Sequence, residues 1–255
     1  MGDKTKISWA NATWNPITGC TPVSAACDHC YAKRMYERFS RGDVLVSPFS
    51  KVMFHPDRLD QPLRWKKPRR IFVCSMGDLF HEDVPLNGII EVFDRMEEAD
   101  QHTFMVLTKR PRRMREYIED FHTKGRKDID PLPNAWLGVT AENQEMADLR
   151  IPILLQTPAA KRFVSIEPCL GPVDLAGLFG NDRYAMHHGI DWAICGGETG
   201  AGARFLHPHW VENLRDQCRE SGVPFFFKGW GTKMMKKSDP GYMKIDGREW
   251  KEFPR

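Results

Sequence analysis

The sequence lacks several features, and each absence narrows the class of protein that it can encode. No run of 18 apolar residues is present, so no transmembrane helix is predicted. Residues 1–6 are polar with no apolar stretch behind them, so no secretory signal peptide is expected. Seven cysteines, an odd number, argue against a fully paired disulfide framework. These absences predict a cytoplasmic protein, in which clustered cysteines more often bind metal or perform chemistry than form disulfides.

The composition is that of a folded chain with its basic residues clustered. At 255 residues and 41% hydrophobic content, the chain can bury a sizeable core, and an α/β barrel commonly uses this length as one unit. The net charge is only +3, but two basic groups stand out; each suits phosphate contacts or, equally, a solvated face. The first is Arg64, Lys66, Lys67, Arg69 and Arg70, and the second is Lys109, Arg110, Arg112, Arg113 and Arg115.

Three cysteines lie in one short loop with the spacing C-x6-C-x2-C. They are Cys20, Cys27 and Cys30, and the loop offers no obvious fourth ligand. A structural zinc site uses four protein ligands. A cubane iron–sulfur cluster held by only three thiolates keeps one iron open, and that iron can bind and activate a small molecule. The loop therefore predicts a metal site, with the iron–sulfur interpretation favoured.

Apolar β-rich runs alternate with amphipathic helical stretches along the chain. This alternation predicts right-handed βαβ units with a parallel sheet, in a complete or partial barrel. The predicted strands span residues 13–16, 71–75, 103–108, 135–140, 162–167, 192–195 and 224–228, and the predicted helices span 30–39, 86–99, 112–120, 143–155 and 208–220.

Two further stretches fall outside this alternation. Residues 171–190 are rich in glycine and predict a long irregular connection. From Gly231 onward, two short strands are predicted around Asp246 and Gly247, a strong hairpin signal. We expect a barrel over residues 1–230 and a C-terminal extension over residues 231–255.

Every predicted strand ends in small, charged or hydroxyl residues. In a barrel, functional groups gather at the C-terminal ends of the strands. A single such end is usually only the start of a loop. Seven of them together, with the first strand leading into the cysteine loop, are better explained by one shared site. After the first strand, these ends lie at residues 74–78, 108–110, 139–142, 165–168, 195–198 and 227–230.

The order of these motifs resembles a known family. Residues 13–16 followed by Gly19 and Cys20, with segments 27–31, 107–110, 165–168 and 196–198, are similar to the three-cysteine-motif proteins found widely in phages. That family, long classed as a domain of unknown function, is similar to radical S-adenosylmethionine (SAM) enzymes of the spore photoproduct lyase group. The resemblance covers about residues 6–230. One departure is the first cysteine gap, x6 where x3 is commonest.

The resemblance implies a partial (β/α)6-type TIM-like barrel, a [4Fe–4S] cluster and SAM. It assigns the cluster to Cys20, Cys27 and Cys30, and it places His29 near the adenine. The remaining assignments follow by position. The SAM amino group is bound in such enzymes at the position of Ser75, Met76, Gly77 and Asp78. Positions near the ribose and carboxylate are matched by Lys109, Thr140, Glu142 and Glu167. The catalytic candidates are Lys109, Cys195 and Glu198.

Two of the catalytic candidates have plainer alternatives. Cys195 is the best placed of the remaining cysteines for a radical relay or an extra ligand, but Cys74, Cys169, Cys195 and Cys218 are also expected to be buried small residues. Glu198 has the alternative of capping the turn that follows it.

The implied chemistry starts at the open iron, which would chelate the amino and carboxylate groups of SAM. One electron, delivered by a flavodoxin- or ferredoxin-type donor, would cleave a carbon–sulfur bond, and the resulting 5'-deoxyadenosyl radical would take hydrogen from a substrate. The basic groups and several tryptophans suit DNA or a nucleotide. A phage-infected host cell, implied by resemblance alone, suggests a base in phage DNA. The reaction would be a rearrangement of a hypermodified thymine, or a lyase-type hydrogen abstraction that repairs or alters a thymine.

Two alternatives come from other classes. The first is a zinc-binding nucleic-acid module without catalysis, in which His29 or another residue completes the three cysteines; the barrel-like length argues against it. The second is an iron–sulfur electron carrier or sensor. Metal content distinguishes the zinc module from the proposed enzyme, which would contain iron and sulfide. Cleavage of SAM distinguishes the enzyme from an electron carrier or sensor. The oligomeric state stays open.

Overall fold

The computed structural model describes residues 5–39, 47–124, 131–179 and 189–255, with the side chains of 120–124 left aside. These residues form an α/β fold. The strands are β1 (Ala12–Trp14), β2 (Ile17–Thr18), β3 (Met53–Phe54), β4 (Arg70–Val73), β5 (Thr103–Thr108), β6 (Ala135–Thr140), β7 (Lys161–Ile166), β8 (Trp192–Cys195), β9 (Phe225–Phe227), β10 (Lys244–Ile245) and β11 (Arg248–Glu249), and the α-helices are α1 (Tyr31–Phe39), α2 (Leu86–Glu98), α3 (Pro111–Lys124), α4 (Gln144–Gln156) and α5 (Pro208–Glu220).

Seven strands form one sheet in the order β1-β4-β5-β6-β7-β8-β9. Strand β4 pairs in parallel with β1 and β5, and β8 pairs in parallel with β7 and β9. Helices α2, α3, α4 and α5 each fall between consecutive strands of this order. Parallel strands with helical crossovers in chain order confirm the predicted α/β class and have the strand order of a partial TIM-like barrel. In the predicted irregular connection, residues 171–179 have no regular helix or strand, and residues 180–188 lie outside the described part.

The chain divides into two compact units. The first comprises residues 1–23, 30–137 and 157–160, and the second comprises residues 24–29, 138–156 and 161–255. Strands β1, β4 and β5 belong to the first unit, and β7, β8 and β9 belong to the second. The predicted boundary at residue 230 stays a prediction.

The core of the first unit forms between its parallel strands and α2. The helix buries Ile89, Val92, Phe93 and Met96, which recur every three or four residues and therefore share one face. Trp14 of β1 packs on Phe104 of β5, with ring centroids 5.7 Å apart. Each such side chain contributes about 1.5–3 kcal/mol when fully buried. This core fixes the strands whose C-terminal ends carry the first group of site residues.

The core of the second unit is built on β9, whose three phenylalanines are all fully buried. Although β9 is the last strand of the sheet order, its outer edge is covered by the C-terminal segment. The Phe227 amide donates to the Trp250 carbonyl at 2.8 Å, and the Glu252 amide donates to the Phe225 carbonyl at 3.2 Å. This covering satisfies backbone groups that an exposed edge strand would leave open.

Strands β10 and β11 are antiparallel and precede this covering segment. Their turn has positive φ at Asp246 (51°) and Gly247 (75°), the conformation that an Asp-Gly hairpin turn requires.

Candidate active site

The cysteine loop begins with a fixed backbone in the first unit. The Gly19 amide donates to the Met76 carbonyl at 3.0 Å, and the Cys20 amide donates to the Phe49 carbonyl at 3.0 Å. Gly19 has φ +89°, and a Cβ there would collide with the carbonyl oxygen of Lys51. Glycine is therefore needed at this position. These contacts hold the first cysteine beside the segment that follows β4.

Asn15 organises that segment, and sequence reasoning did not single it out. Its buried Oδ1 accepts hydrogen bonds from Ser75 Oγ at 3.1 Å and from the Met76 amide at 2.9 Å. Tyr31, directly after Cys30, donates its hydroxyl to the Ser75 carbonyl at 2.7 Å. The predicted SAM-binding segment is therefore tied to the residue after the third cysteine. Asn15 was named from the sequence only as part of the 13–16 motif and of the predicted first strand, and β1 ends one residue earlier, at Trp14.

Asp78 lies at the centre of a second network in the same unit. Its Oδ1 accepts from Thr108 Oγ1 at 2.7 Å and from the Phe80 amide at 3.0 Å. Its Oδ2 accepts from Arg110 Nη1 at 3.2 Å and from the Lys109 amide at 3.3 Å. The residue is 5% exposed. The predicted contact with the SAM amino group would have to be made in addition to these four.

Arg110 links Asp78 to the cysteine loop. Its Nη1 donates to Cys20 Sγ at 3.5 Å, and its Nε donates to Glu82 at 2.8 Å. Its Nη2 donates to the hydroxyl and the carbonyl of Thr21 at 3.0 and 3.2 Å. Burial alone would lower the pKa of Arg110, but the charge of Asp78 and the hydrogen bond with Glu82 outweigh it and raise the pKa. The prediction that this arginine belongs to a phosphate-contacting group is corrected, because the residue is 7% exposed and its donors are already engaged.

The remaining basic residues occupy different positions. Arg113 donates to the Val84 carbonyl at 2.6 Å, and Arg115 pairs with Glu119 at 2.7 Å, whereas Arg112 is exposed and Lys109 is half-buried. The first basic group, residues 64–70, leads into β4, which starts at Arg70, and so lies at the end of that strand opposite to residues 75–78. Lys109 and Arg112 follow β5, which is parallel to β4, and therefore lie at the same edge as residues 75–78.

In the second unit, Glu142 anchors the turn that carries Cys27. Cys27 ends a short 3-10 helix (Ala25–Cys27), and Glu142 Oε1 accepts from the Ala26 amide at 3.3 Å. Its Oε2 accepts from Arg150 Nη1 at 2.9 Å, and the same nitrogen donates to the Thr140 carbonyl at 2.8 Å. Burial would raise the pKa of Glu142, but the hydrogen bonds and the Arg150 charge lower it. Since Glu142 is 0% exposed, its visible role is to support this turn.

Glu198 and Arg204 fix the other side of this turn. Glu198 Oε2 lies 2.9 Å from His29 Nδ1, and Oε1 accepts from Arg204 Nη2 at 2.6 Å. Arg204 Nη2 also donates to the Ala25 carbonyl at 2.9 Å. Burial would raise the pKa of Glu198, but the hydrogen bonds from Arg204 and His29 lower it to about 2. The carboxylate also accepts from the Arg204 amide at 2.9 Å, in keeping with the capping alternative. A catalytic role for Glu198 stays a prediction.

Glu167 and Lys228 form an ion pair at 2.6 Å at the ends of β7 and β9. Both side chains are partly exposed, at 23% and 22%. A Cβ on Gly196 would lie 3.1 Å from Lys228 Cβ, so the glycine leaves room for the lysine side chain. Sequence reasoning placed Lys228 only at a strand end; the pairing with Glu167 is new.

The seven cysteines fall into two classes. None of the seven, all of which lie in the described residues, forms a disulfide. Cys20, Cys27 and Cys30 are partly exposed, whereas Cys74, Cys169, Cys195 and Cys218 are buried, as predicted for these four. A hydrogen bond with Cys169, together with burial, raises the pKa of Cys195, and burial raises that of Cys218 to about 12. Within the described ranges, no group of three or more His, Cys, Asp or Glu side chains is arranged around a metal position. The relay role of Cys195 stays a prediction.

None of the helices in the described residues combines the length and apolar character needed to cross a membrane.

The comparisons with known proteins identify a family and a distant fold likeness. A family model described as "Protein of unknown function (DUF5131)" matches residues 4–254. No curated protein matches the sequence. A solved spore photoproduct lyase complexed with dinucleoside spore photoproduct is similar at TM-score 0.49 and 11% identity, over 89% of this chain and 79% of that one. A variant of that enzyme with bound AdoMet and the dinucleoside is similar at TM-score 0.44 and 12% identity, over 89% and 58%. Likeness at this level carries no conclusion about activity.

Proposed function

We propose that this chain, which belongs to the DUF5131 family, is a radical SAM enzyme whose Cys20, Cys27 and Cys30 hold a [4Fe–4S] cluster. The observation that carries the proposal is the contrast between its cysteines. The three within segment 20–30 are partly exposed and not in disulfides, and the other four are buried. Three thiolates are a donor set suited to a cluster that keeps one iron open. When bound, the cluster would supply the electron that cleaves a carbon–sulfur bond of SAM.

The residues of the chain would bind and orient the cofactors. The segment 75–78 would take the methionine end of SAM, supported by its hydrogen bonds with Asn15 and Tyr31. The partial exposure of Glu167, compared with full burial of Glu142, supports Glu167 as the carboxylate that meets the ribose hydroxyls. His29 would lie near the adenine, with its ring held by Glu198.

The proposal is tested by metal content and SAM cleavage. Protein purified and reconstituted without oxygen should be brown and hold about four irons and four sulfides per chain. After chemical reduction it should convert SAM to 5'-deoxyadenosine. A colourless protein with zinc would support the zinc-module alternative and overturn the proposal. Iron and sulfide without SAM cleavage would favour an electron carrier or sensor.

The substrate that we propose is a base within DNA, of the hypermodified thymine type in phage DNA, which the enzyme would rearrange or cleave. The electron would come from a flavodoxin- or ferredoxin-type carrier. Support for a nucleic-acid substrate comes from Lys109 and Arg112, two basic residues at the edge of the sheet where residues 75–78 lie. Arg112 is exposed, so its guanidinium is open to contact with a phosphate.

Salt dependence tests this phosphate contact. Binding to duplex DNA should weaken with added salt at a log–log slope of about −0.9 per neutralised phosphate. The double variant Lys109→Ala/Arg112→Ala should reduce the steepness by up to about 1.8, since two phosphates would lose their partners. The matched control is Lys66→Ala/Lys67→Ala, which removes the same charge from the opposite end of β4 and should leave the slope unchanged. Equal slopes for both variants and the unaltered chain would contradict the proposed contact.

A further inference from the structure

Arg110 contacts the sulfur of Cys20, and the proposed roles of the residues in binding the cluster and SAM give this contact no function. Its guanidinium approaches the sulfur of Cys20, with Nη1 3.5 Å from Sγ. The remaining N–H groups are also engaged. Asp78 accepts from Nη1, Glu82 accepts from Nε, and Thr21 accepts twice from Nη2. With its donors satisfied and its side chain 5% exposed, the guanidinium is fixed in orientation.

The geometry selects arginine rather than any other cation. A planar guanidinium has five N–H donors, so it can serve a carboxylate and the cysteine sulfur from Nη1, a second carboxylate from Nε and the threonine from Nη2, whereas a lysine ammonium has only three donors. Asp78 is itself held by Thr108 and by two backbone amides, so it cannot turn away from Arg110. Glu82 is 64% exposed, so its charge is screened by solvent and contributes less to the position of Arg110 than that of Asp78 does.

A hydrogen bond and a positive charge at a cluster thiolate have a defined electronic effect. Reduction adds one negative charge to the cluster, and a fixed cation beside a ligating sulfur stabilises the reduced form more than the oxidised form. Hydrogen bonds to the sulfurs and the charge around them are among the factors that set cluster potentials.

We propose that Arg110 is a positioning residue that donates a hydrogen bond to the Cys20 sulfur and raises the reduction potential of the cluster bound there. The inference rests on the proposed function, since it requires a cluster at Cys20. It assigns the Asp78–Arg110 pair a role in reduction of the cluster. That role does not depend on contact of the pair with SAM or with the substrate.

The test is a redox titration of the reconstituted protein without SAM, followed by EPR. In Arg110→Gln, we expect the equilibrium constant for one-electron reduction to fall about tenfold, a shift of about 59 mV to more negative potential. Iron and sulfide contents should stay near those of the unaltered chain. The matched control is Arg115→Gln, which removes the same charge from α3 at a residue paired with Glu119. Its potential should not change.

A second variant guards against misfolding. Asp78→Asn/Arg110→Gln removes both charges together, so no buried carboxylate loses its partner. Its potential should also shift to a more negative value, but by less than in Arg110→Gln, because loss of the Asp78 charge acts in the opposite sense while the hydrogen bond to the sulfur is still lost. Full cluster content with an unchanged potential in either variant would overturn the inference, as would loss of iron from both, which would assign Arg110 to folding of the loop. A chain that holds no cluster before any substitution would instead refute the proposed function.

Discussion

Alanine in place of Cys27 is expected to abolish cluster binding. A cubane cluster that needs three thiolates cannot be held by the two that remain. Cys27 itself lies on a short helix whose backbone is held by the side chains of other residues. Glu142 accepts from the Ala26 amide, and Arg204 donates to the Ala25 carbonyl. The loop should therefore keep its fold while it loses its metal. Iron and sulfide content, the EPR signal of the reduced protein and 5'-deoxyadenosine formation should all fall to background.

The control for this variant is Cys218→Ala. Cys218 is buried in α5, so its replacement removes a thiol without touching the loop, and iron and SAM cleavage should be retained. Full iron content and full activity in Cys27→Ala would contradict the ligand assignment.

The strands were predictable because their signal is local. Strands β5, β6 and β8 have the predicted bounds, since each is an apolar, β-rich run directly preceded by a polar residue. Helix α5 likewise has the predicted bounds, from Pro208 after a capping His207 to Glu220. Local propensity and the fold agree at these elements, so a single sequence suffices to place them.

The antiparallel pair β2–β3 was not predicted. Each strand has only two residues, which is too few for an alternating pattern, and the partners are separated by more than 30 residues of chain. The two strands are held together by contacts between residues that are distant in the sequence. Thr18 Oγ1 lies 2.7 Å from His55 Nε2, and the His55 amide donates to the Pro16 carbonyl. No local pattern contains that pairing.

The residue types of the site could be predicted from the sequence, but the ion-pair and hydrogen-bond partners of those residues could not. The sequence identified the three cysteines and the polar strand ends, because the fold type places function there. It grouped Arg110 with neighbouring basic residues, although the structure buries this one and exposes Arg112. The difference depends on Asp78 and Glu82, which lie about 30 residues earlier in the chain. The spacing of residues along the sequence does not show which charged side chains form ion pairs in the fold.

The largest loss of stability is expected from Glu142→Ala. Glu142 and Arg150 are 0% and 3% exposed. The variant leaves the Arg150 charge buried, with the Thr140 carbonyl still accepting a hydrogen bond from it but no carboxylate from Glu142. Breaking a buried pair from one side costs about 3–5 kcal/mol, because the remaining charge stays desolvated. The same variant removes the acceptor of the Ala26 amide, so the turn that carries Cys27 should loosen. Thermal unfolding of the metal-free protein, followed by far-UV circular dichroism, measures the loss.

Two matched variants decide whether the buried pair is the cause. Glu142→Leu/Arg150→Met removes both charges and should recover much of the lost stability, since neither partner is left alone in the core. Glu249→Ala breaks an exposed pair with Lys251 and should leave the unfolding temperature almost unchanged, because solvent screens that pair. If the double variant were as unstable as Glu142→Ala, the loss would come from the vacated space and the unpaired Ala26 amide rather than from an isolated charge. If Glu142→Ala unfolded at the same temperature as the unaltered chain, the supporting role of Glu142 would be wrong.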